Sequence, residues 1–174
     1  MGLNGLRIRA GSGGCDVNGV LRNGDIMLTE PRGPLLAWFC ARTGQPLQGW
    51  ENASIIARVS GLLPVVVILY NQFHRPDIWM HVAAEPGRIW CTPDFLGHIF
   101  AYPFEQLGCG RVTALVSRSH ARLRKLVLHL GFVEEGTLRE ALPTGDALIA
   151  YGMLRRECRW IGESDVEAQR TRAA

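Results

Sequence analysis

The sequence has no apolar run long enough to cross a membrane and no pair of cysteines spaced as metal ligands. A membrane-spanning helix needs about 20 apolar residues, whereas the most apolar stretch, residues 62–70, is of strand length and rich in β-branched side chains. The cysteines at positions 15, 40, 91, 109 and 158 form no CxxC pair, and none adjoins a histidine at ligand spacing. We therefore expect no membrane segment, no zinc site and no other metal.

The beginning of the sequence also lacks the features of a secretory signal. Residues 1–14 contain neither an apolar core nor a small-residue cleavage site. Without such a signal, a chain is expected to stay where thiols are kept reduced. The prediction is a cytoplasmic protein whose cysteines are mostly free thiols.

Lysine is nearly absent, because Lys125 is the only one and every other basic side chain is arginine. Arginine suits planar, bidentate contacts with phosphate, although a GC-rich genome would produce the same bias. Residues 118–125 concentrate four basic side chains at one predicted helix start, which is either a solvated face or a phosphate site. With a net charge of only +3 and no stripe of alternating aromatic and basic residues, we do not expect nucleic acid to be a partner.

Length and composition predict one domain over residues 1–161, followed by a polar, flexible tail over residues 162–174. A chain of 174 residues with 47% hydrophobic content can bury one core. No internal repeat or linker interrupts it. Residues 1–30 are rich in glycine and in Asn-Gly pairs, so only short strands and turns can be assigned there.

The first half of the chain predicts a short helix followed by strands. An apolar cluster predicts a helix or helical turn over residues 33–42. Two β-branched runs, 54–60 and 64–70, predict an antiparallel hairpin. A third strand over 77–84 alternates in part, which indicates that both of its faces are covered.

The second half predicts two helices that alternate with strands. Thr92 and Pro93 form a good helix start, and the apolar stripe continues to Gly108, with a kink expected at Pro103. A strand over 111–116 leads to a helix over 119–130.

This helix should end at Gly131, which suits a left-handed cap. Strands over 132–138 and 147–158, joined by a turn at 143–146, complete the pattern. The order of elements predicts an α+β, or mixed α/β, fold around one sheet.

Three stretches carry a resemblance to a known family. The runs YPFEQLGCGRVTALV (102–116), LGFVEEGTLR (130–139) and GDALIAYGML (145–154) resemble the GNAT acetyltransferase superfamily. Within it they are most similar to the branch that acetylates the N-termini of ribosomal proteins. The stretch RRECRW (155–160) is also similar to phage-encoded proteins. The resemblance covers residues 77–160 and implies a central mixed sheet with splayed parallel strands flanked by helices, with Phe132 packed in the core at the helix end.

The resemblance implies a site for acyl-CoA, most simply acetyl-CoA, between the strands 77–84 and 111–116. In this family the pantetheine amides pair with the first strand and the pyrophosphate lies on the next helix start, a position that binds phosphate for physical reasons. The family's phosphate loop has Gln or Arg, two variable residues, Gly, one variable residue, then Gly or Ala. The implied cofactor-binding residues are Val82, Ala83, Ala84, Arg88, Ile89, Trp90, Cys91, Thr92, Pro93, His120 and Arg122.

Several positions depart from the family. Arg88 fits the loop frame, but Cys91 and Pro93 replace its small residues, and proline supplies no amide donor. His120 occupies the position at which the family usually has an asparagine in the helix. A role in capping the start of this helix explains His120 equally well. Val127 occupies the position at which the family often has a tyrosine that acts as general acid, so no proton donor is identified.

The general base is predicted from two residues near the end of the strand 77–84. Glu85 is the first candidate because a carboxylate at the strand end can deprotonate an amine. His81 is the second, although a buried, hydrogen-bonded histidine beside Trp79 is the favoured interpretation of this residue. Cys91 is discounted as a nucleophile because no accompanying histidine and acid are recognised.

The predicted function is an acyl-CoA-dependent N-acyltransferase that transfers an acetyl group to a primary amine by direct attack. The acceptor is a small molecule, a protein N-terminus or a lysine, and a homodimer is possible. The alternative is a non-catalytic binding or structural protein with the same fold and a degenerate phosphate loop. Modification of phage nucleic acid is a weaker alternative.

Overall fold

The computed structural model describes residue 21 and residues 25–162. This part of the chain contains three α-helices and seven strands. In order they are β1 (Ile26–Leu28), α1 (Arg32–Thr43), β2 (Ser54–Ser60), β3 (Leu63–His74), β4 (Asp77–Ala84), α2 (Pro93–Ala101), a π-helical turn (Tyr102–Gln106), β5 (Arg111–Ser117), α3 (Ala121–Leu130), β6 (Val133–Leu138), β7 (Leu148–Leu154) and a 3-10 turn (Arg155–Glu157).

All the strands of the described residues form one sheet in the order β1-β2-β3-β4-β5-β7-β6. Every neighbouring pair is antiparallel except β4 and β5, which run parallel. These two strands pair only from Asp77 with Arg111 to Trp79 with Thr113, and no pairing continues beyond Trp79. The predicted α+β class and the splayed parallel strands are therefore confirmed.

Helices cover the two faces of the sheet unequally. On one face, α2 and α3 pack over side chains from β2, β3, β4, β5 and β7, and the fully buried Phe95 of α2 and Ile68 of β3 belong to this core. On the other face, α1 packs over β2, β3 and β4 through Leu35 and Phe39. The alternation predicted for β4 is real, since Ile78 and Met80 belong to the first core while Ala83 belongs to the second.

The helix end predicted from the LGF stretch is confirmed. Gly131 ends α3 with a φ of 107°, which favours glycine because a side chain there would be strained. Phe132 follows with only 4% of its surface exposed, and its ring centroid lies 6.1 Å from that of Phe100. The step thus turns the chain out of the helix and seats an aromatic side chain in the core.

The helix after Thr92 differs from its prediction. It does not continue with a simple kink, because α2 ends at Ala101 and a π-helical turn follows. Pro103 has no N–H to donate to the carbonyl of Ile99, four residues earlier. The Tyr70 hydroxyl donates to that carbonyl instead, over 2.6 Å. A side chain of the sheet thereby satisfies the acceptor that proline leaves open.

The last strand is shorter than predicted. β7 ends at Leu154 rather than at residue 158, because the chain turns into the 3-10 segment, where the Leu154 N–H donates to the Glu157 carboxylate over 3.1 Å. The predicted strands and turns in residues 1–20 and 22–24, and the predicted tail over 163–174, lie outside the described residues. No helix in the described part is long and apolar enough to span a membrane.

Candidate functional site

A cleft of about 680 Å³ opens where β4 and β5 separate. It is bounded by the end of β4, the loop over residues 85–91, the start of α3 and the end of α1. This is the region in which the family resemblance implies a cofactor.

One edge of β4 faces this cleft without a strand partner. The Glu85 N–H donates to the Val65 carbonyl of β3 over 2.8 Å. Hydrogen-bonding direction alternates along an antiparallel strand, so the backbone of Ala83 also points to β3. The N–H and C=O groups of Val82 and Ala84 therefore point the opposite way, beyond the point where β5 stops pairing. The cleft wall is a short row of strand amides available to a ligand.

The loop that follows β4 turns sharply and then enters the core. Gly87 has a φ of 76°, and the Arg88 N–H donates to the Glu85 carbonyl over 3.3 Å. Ile89 is 82% exposed, whereas the next side chain, Trp90, is only 6% exposed and lies edge-on to Phe95. The buried tryptophan fixes the end of the loop against α2, so the loop is shaped before any ligand binds.

Among the residues that the structure describes, three arginines place their guanidinium groups along the cleft. Arg42, from the end of α1, pairs with Glu85 and lies over the Trp38 ring, 5.3 Å from its centroid. Arg88 and Arg122 are exposed, and within residues 25–162 neither forms an ion pair. The cleft thus has a positive surface suited to an anion, and arginine is well shaped for phosphate.

The imidazole of His120 and the carboxylate of Asp146 accept the hydrogen bonds that hold the start of α3. His120 caps the helix, since its Nδ1 accepts from the Leu123 N–H over 3.3 Å. Asp146 accepts from the Ser117 hydroxyl and from the Ser119 N–H, and these bonds lower its pKa to about 2. The capping interpretation of His120 is therefore confirmed, and this imidazole also lines the cleft.

Not every arginine of the 118–125 cluster faces the cleft. The Arg124 guanidinium donates to the Tyr151 hydroxyl over 3.1 Å and lies 3.6 Å from the Glu134 carboxylate. Arg122, in contrast, lines the cleft. The cluster is therefore divided between a structural network and the cleft.

His81 is a half-buried side chain beside the α1 core, and it does not line the cleft. Its Nε2 lies 2.9 Å from Asn71 Oδ1, and its ring lies edge-on to Trp50 with 5.0 Å between centroids. Burial lowers the pKa of His81 to about 4. The imidazole is therefore neutral at pH 7.

This burial predicts a pH dependence of stability. The unfolded chain binds a proton at His81 below about pH 6.5, whereas the folded protein takes it up only near pH 4. We expect this group to lower the free energy of unfolding by about 3 kcal/mol between pH 7 and pH 4. Urea unfolding of the wild type and of His81→Gln, which can still bond Asn71, measures it. An equal pH dependence in both proteins would contradict the prediction.

The structure brings most of the predicted site residues together. The implied residues that line the cleft are Val82, Ala83, Ala84, Glu85, Arg88, Ile89, Trp90, Cys91, His120 and Arg122. His81, Thr92 and Pro93 are not among its lining residues. Pro93 is the first residue of α2, and the Thr92 hydroxyl makes no capping bond to the helix.

Sequence reasoning missed the contribution of α1. Arg42 and Thr43 line the cleft although more than thirty residues separate them from β4 in the sequence. No local pattern marks them, because their position depends on how α1 packs across the sheet.

Cys91 is half-buried in the cleft wall, and burial raises the pKa of its thiol to about 11. A protonated thiol is a poor nucleophile, which agrees with discounting this residue as one. In the described part of the chain, no group of His, Cys, Asp or Glu side chains is arranged to hold a metal ion.

Comparisons with known proteins give a consistent fold. No protein-family model matches the chain, and no curated protein sequence matches it. Solved structures do: a spermidine N-acetyltransferase SpeG chimera from Vibrio cholerae and hSSAT is 12% identical, with a TM-score of 0.61 over 75% of this chain and 95% of that one. A GNAT-family acetyltransferase from Bacillus anthracis is 15% identical, with a TM-score of 0.53 over 64% and 72%.

These similarities establish the GNAT fold for this chain. The sequence identities are low, so the similarity concerns architecture and leaves activity to be argued from the site.

Proposed function

We propose that this protein is an acyl-CoA-dependent N-acyltransferase that transfers an acetyl group from acetyl-CoA to a primary amine. The observation that carries the proposal is the unpaired amide row of β4, which leads through an arginine-bearing loop to Cys91 within one cleft. Pantetheine carries two amide groups along an extended chain and is complementary to such a row. The diphosphate of CoA is complementary to the arginines at its end.

The residues of the cleft divide into two groups along the proposed ligand. The backbone groups of Val82 and Ala84 would pair with the pantetheine amides, while Arg88 and Arg122 would contact phosphates. This orientation places the thioester toward the point where β4 and β5 separate. Bound acetyl-CoA supplies an activated thioester carbonyl, and the protein supplies its alignment with the amine.

In the proposed reaction, the amine nitrogen attacks the thioester carbonyl and the carbon–sulfur bond breaks. The amine loses one proton and the departing thiolate gains one, so a base and an acid are needed only to transfer protons. Glu85 lies at the phosphate end and pairs with Arg42, and we assign it a structural role. His81 is nearer to the strand separation, but it does not line the cleft and burial lowers its pKa to about 4, so neither residue is assigned as the base.

The acceptor is proposed from the motif resemblance. Similarity to the branch that acetylates ribosomal proteins favours a protein N-terminus, and a polyamine is the competing class because one similar structure is a spermidine N-acetyltransferase. Turnover of N-terminal peptides and of spermidine, compared at equal acetyl-CoA concentration, distinguishes them. A phage origin, a cytoplasmic location and a homodimer remain predictions.

The direct test is isothermal titration with acetyl-CoA. Saturable binding by the folded protein supports an acyltransferase. The alternative, a non-catalytic protein with a degenerate loop, predicts no binding because Cys91 and Pro93 replace the small residues of the family's loop. Absence of binding in a folded sample would refute the proposed function.

Replacing Arg88 by alanine is expected to raise the dissociation constant for acetyl-CoA about tenfold. A charge-assisted contact with phosphate contributes about 1.5–3 kcal/mol, and the exposure of Arg88 places it at the low end. Arg139→Ala, which removes an exposed arginine between β6 and β7, is the matched control. Equal affinity of all three proteins would exclude Arg88 from the site.

A further inference from the structure

Arg58 is a buried arginine that lies between the sheet and the loop of the cleft. It lies on β2, is only 3% exposed, and shares its face of the sheet with the core residue Ile56. A guanidinium is rarely buried to this extent unless it is paired and hydrogen-bonded. Its contacts therefore indicate what it does.

The Arg58 guanidinium joins three separate segments. Its Nε donates to Asp25 over 2.6 Å. One terminal nitrogen donates to the Trp90 carbonyl over 3.0 Å and lies 3.4 Å from the Thr92 hydroxyl. The Trp90 carbonyl also accepts from the Thr92 N–H over 2.8 Å. The carbonyl at the end of the loop is therefore fixed from the protein interior.

Fixing this carbonyl also fixes the next amide. In the described residues only the Glu30–Pro31 and Arg75–Pro76 bonds are cis, so the Trp90–Cys91 peptide is trans. In a planar trans peptide, the C=O and N–H groups point in opposite directions. With the Trp90 carbonyl directed at Arg58, the Cys91 N–H points away from the interior, and Cys91 lines the cleft. Among residues 25–162, no backbone acceptor pairs with this N–H.

We infer that Arg58 is a positioning residue, which orients the Trp90–Cys91 peptide so that the Cys91 N–H binds the diphosphate of acyl-CoA. The inference rests on the proposed function. It also gives a physical reason for the non-glycine loop: a buried side chain holds the backbone in place, so glycine is not needed to shape the turn. The missing amide of Pro93 is offset by a fixed amide two residues earlier.

The test compares ligands with and without the diphosphate. Arg58→Lys keeps a cation beside Asp25. The single ammonium of lysine, however, lacks the planar set of donors with which arginine bonds Asp25 and the Trp90 carbonyl at the same time. We expect its dissociation constant for CoA to rise about 10- to 100-fold, while its affinity for pantetheine stays unchanged. The double variant Arg58→Met with Asp25→Asn removes both charges and should show the same selective loss.

A spectroscopic signal and a control complete the experiment. In protein labelled with 15N-cysteine, the Cys91 amide should shift when CoA is added to the wild type, and shift less in Arg58→Lys. Arg32→Met is the matched control, because Arg32 also donates to backbone carbonyls, at Ala53 and Trp50, but does not line the cleft. It should leave CoA binding unchanged.

Two results would overturn the inference. The first is an Arg58 variant that binds CoA as tightly as the wild type. The second is an equal loss of CoA and pantetheine binding, which would mean that Arg58 supports the fold in general. If the wild type itself bound no CoA, the proposed function would fail first and the inference with it.

Discussion

Replacing Phe132 by alanine lowers the free energy of unfolding by about 3–5 kcal/mol, the usual cost of removing a buried phenylalanine. Phe132 is 4% exposed and lies against Phe100, which is fully buried, so its removal leaves a cavity between α2 and the end of α3. The measurement is urea unfolding of wild type and variant, fitted with the same dependence of the free energy of unfolding on urea concentration.

The neighbouring residue provides the control for this prediction. Val133 is 53% exposed, and Val133→Ala should change the free energy of unfolding by less than about 0.5 kcal/mol. If both substitutions had the same small effect, Phe132 would not be the core contact described here, and the LGF step would be only a helix stop.

Substitution by proline is expected to lower stability at Ala83 and ligand affinity at Ala84. Ala83→Pro removes the N–H that points to β3 and leaves a buried carbonyl unpaired, which costs at least about 1–3 kcal/mol of stability. Ala84→Pro removes an N–H that points into the cleft, so the β3 pairing persists. We expect this variant to stay folded and to lose about tenfold in affinity for CoA, measured by titration calorimetry.

The contrast tests the direction of the β4 backbone. The two substitutions are chemically identical and adjacent, so differences in composition cannot explain different outcomes. Unfolding by Ala84→Pro, or normal CoA affinity in that folded variant, would show that the free amide row does not bind the ligand.

The sequence was sufficient to predict those parts of the fold that depend on local patterns. β-branched runs predicted β2, β3 and β4 within a few residues, because burial and strand propensity act on neighbouring positions. The cap at Gly131 was predictable because a left-handed residue after an apolar helix favours glycine. The π-helical turn was not, because it depends on the Tyr70 hydroxyl, which comes from a distant strand.

Residues of the candidate site were predictable where they lie in one continuous segment of the chain. They were not predictable where the site depends on contacts between distant segments. Residues 82–85 and 88–91 of the cleft were predicted from the strand end and from the loop frame that the family resemblance implies. Arg58 and Arg42 were missed, because their contacts with Trp90 and Glu85 connect segments more than thirty residues apart. A buried arginine within an apolar strand, as in SIIARVS, is the one local signal that could have indicated such a contact.

The short pairing between β4 and β5 has a mechanical consequence. Only the pairs from Asp77 with Arg111 to Trp79 with Thr113 connect the two halves of the sheet, so this junction is the natural axis for a hinge rotation. On the junction, Arg111 contacts Asp77, Thr113 and Glu135, and thereby links β4, β5 and β6 across the axis. We expect a substitution at Arg111 to loosen this junction without removing a residue that lines the cleft.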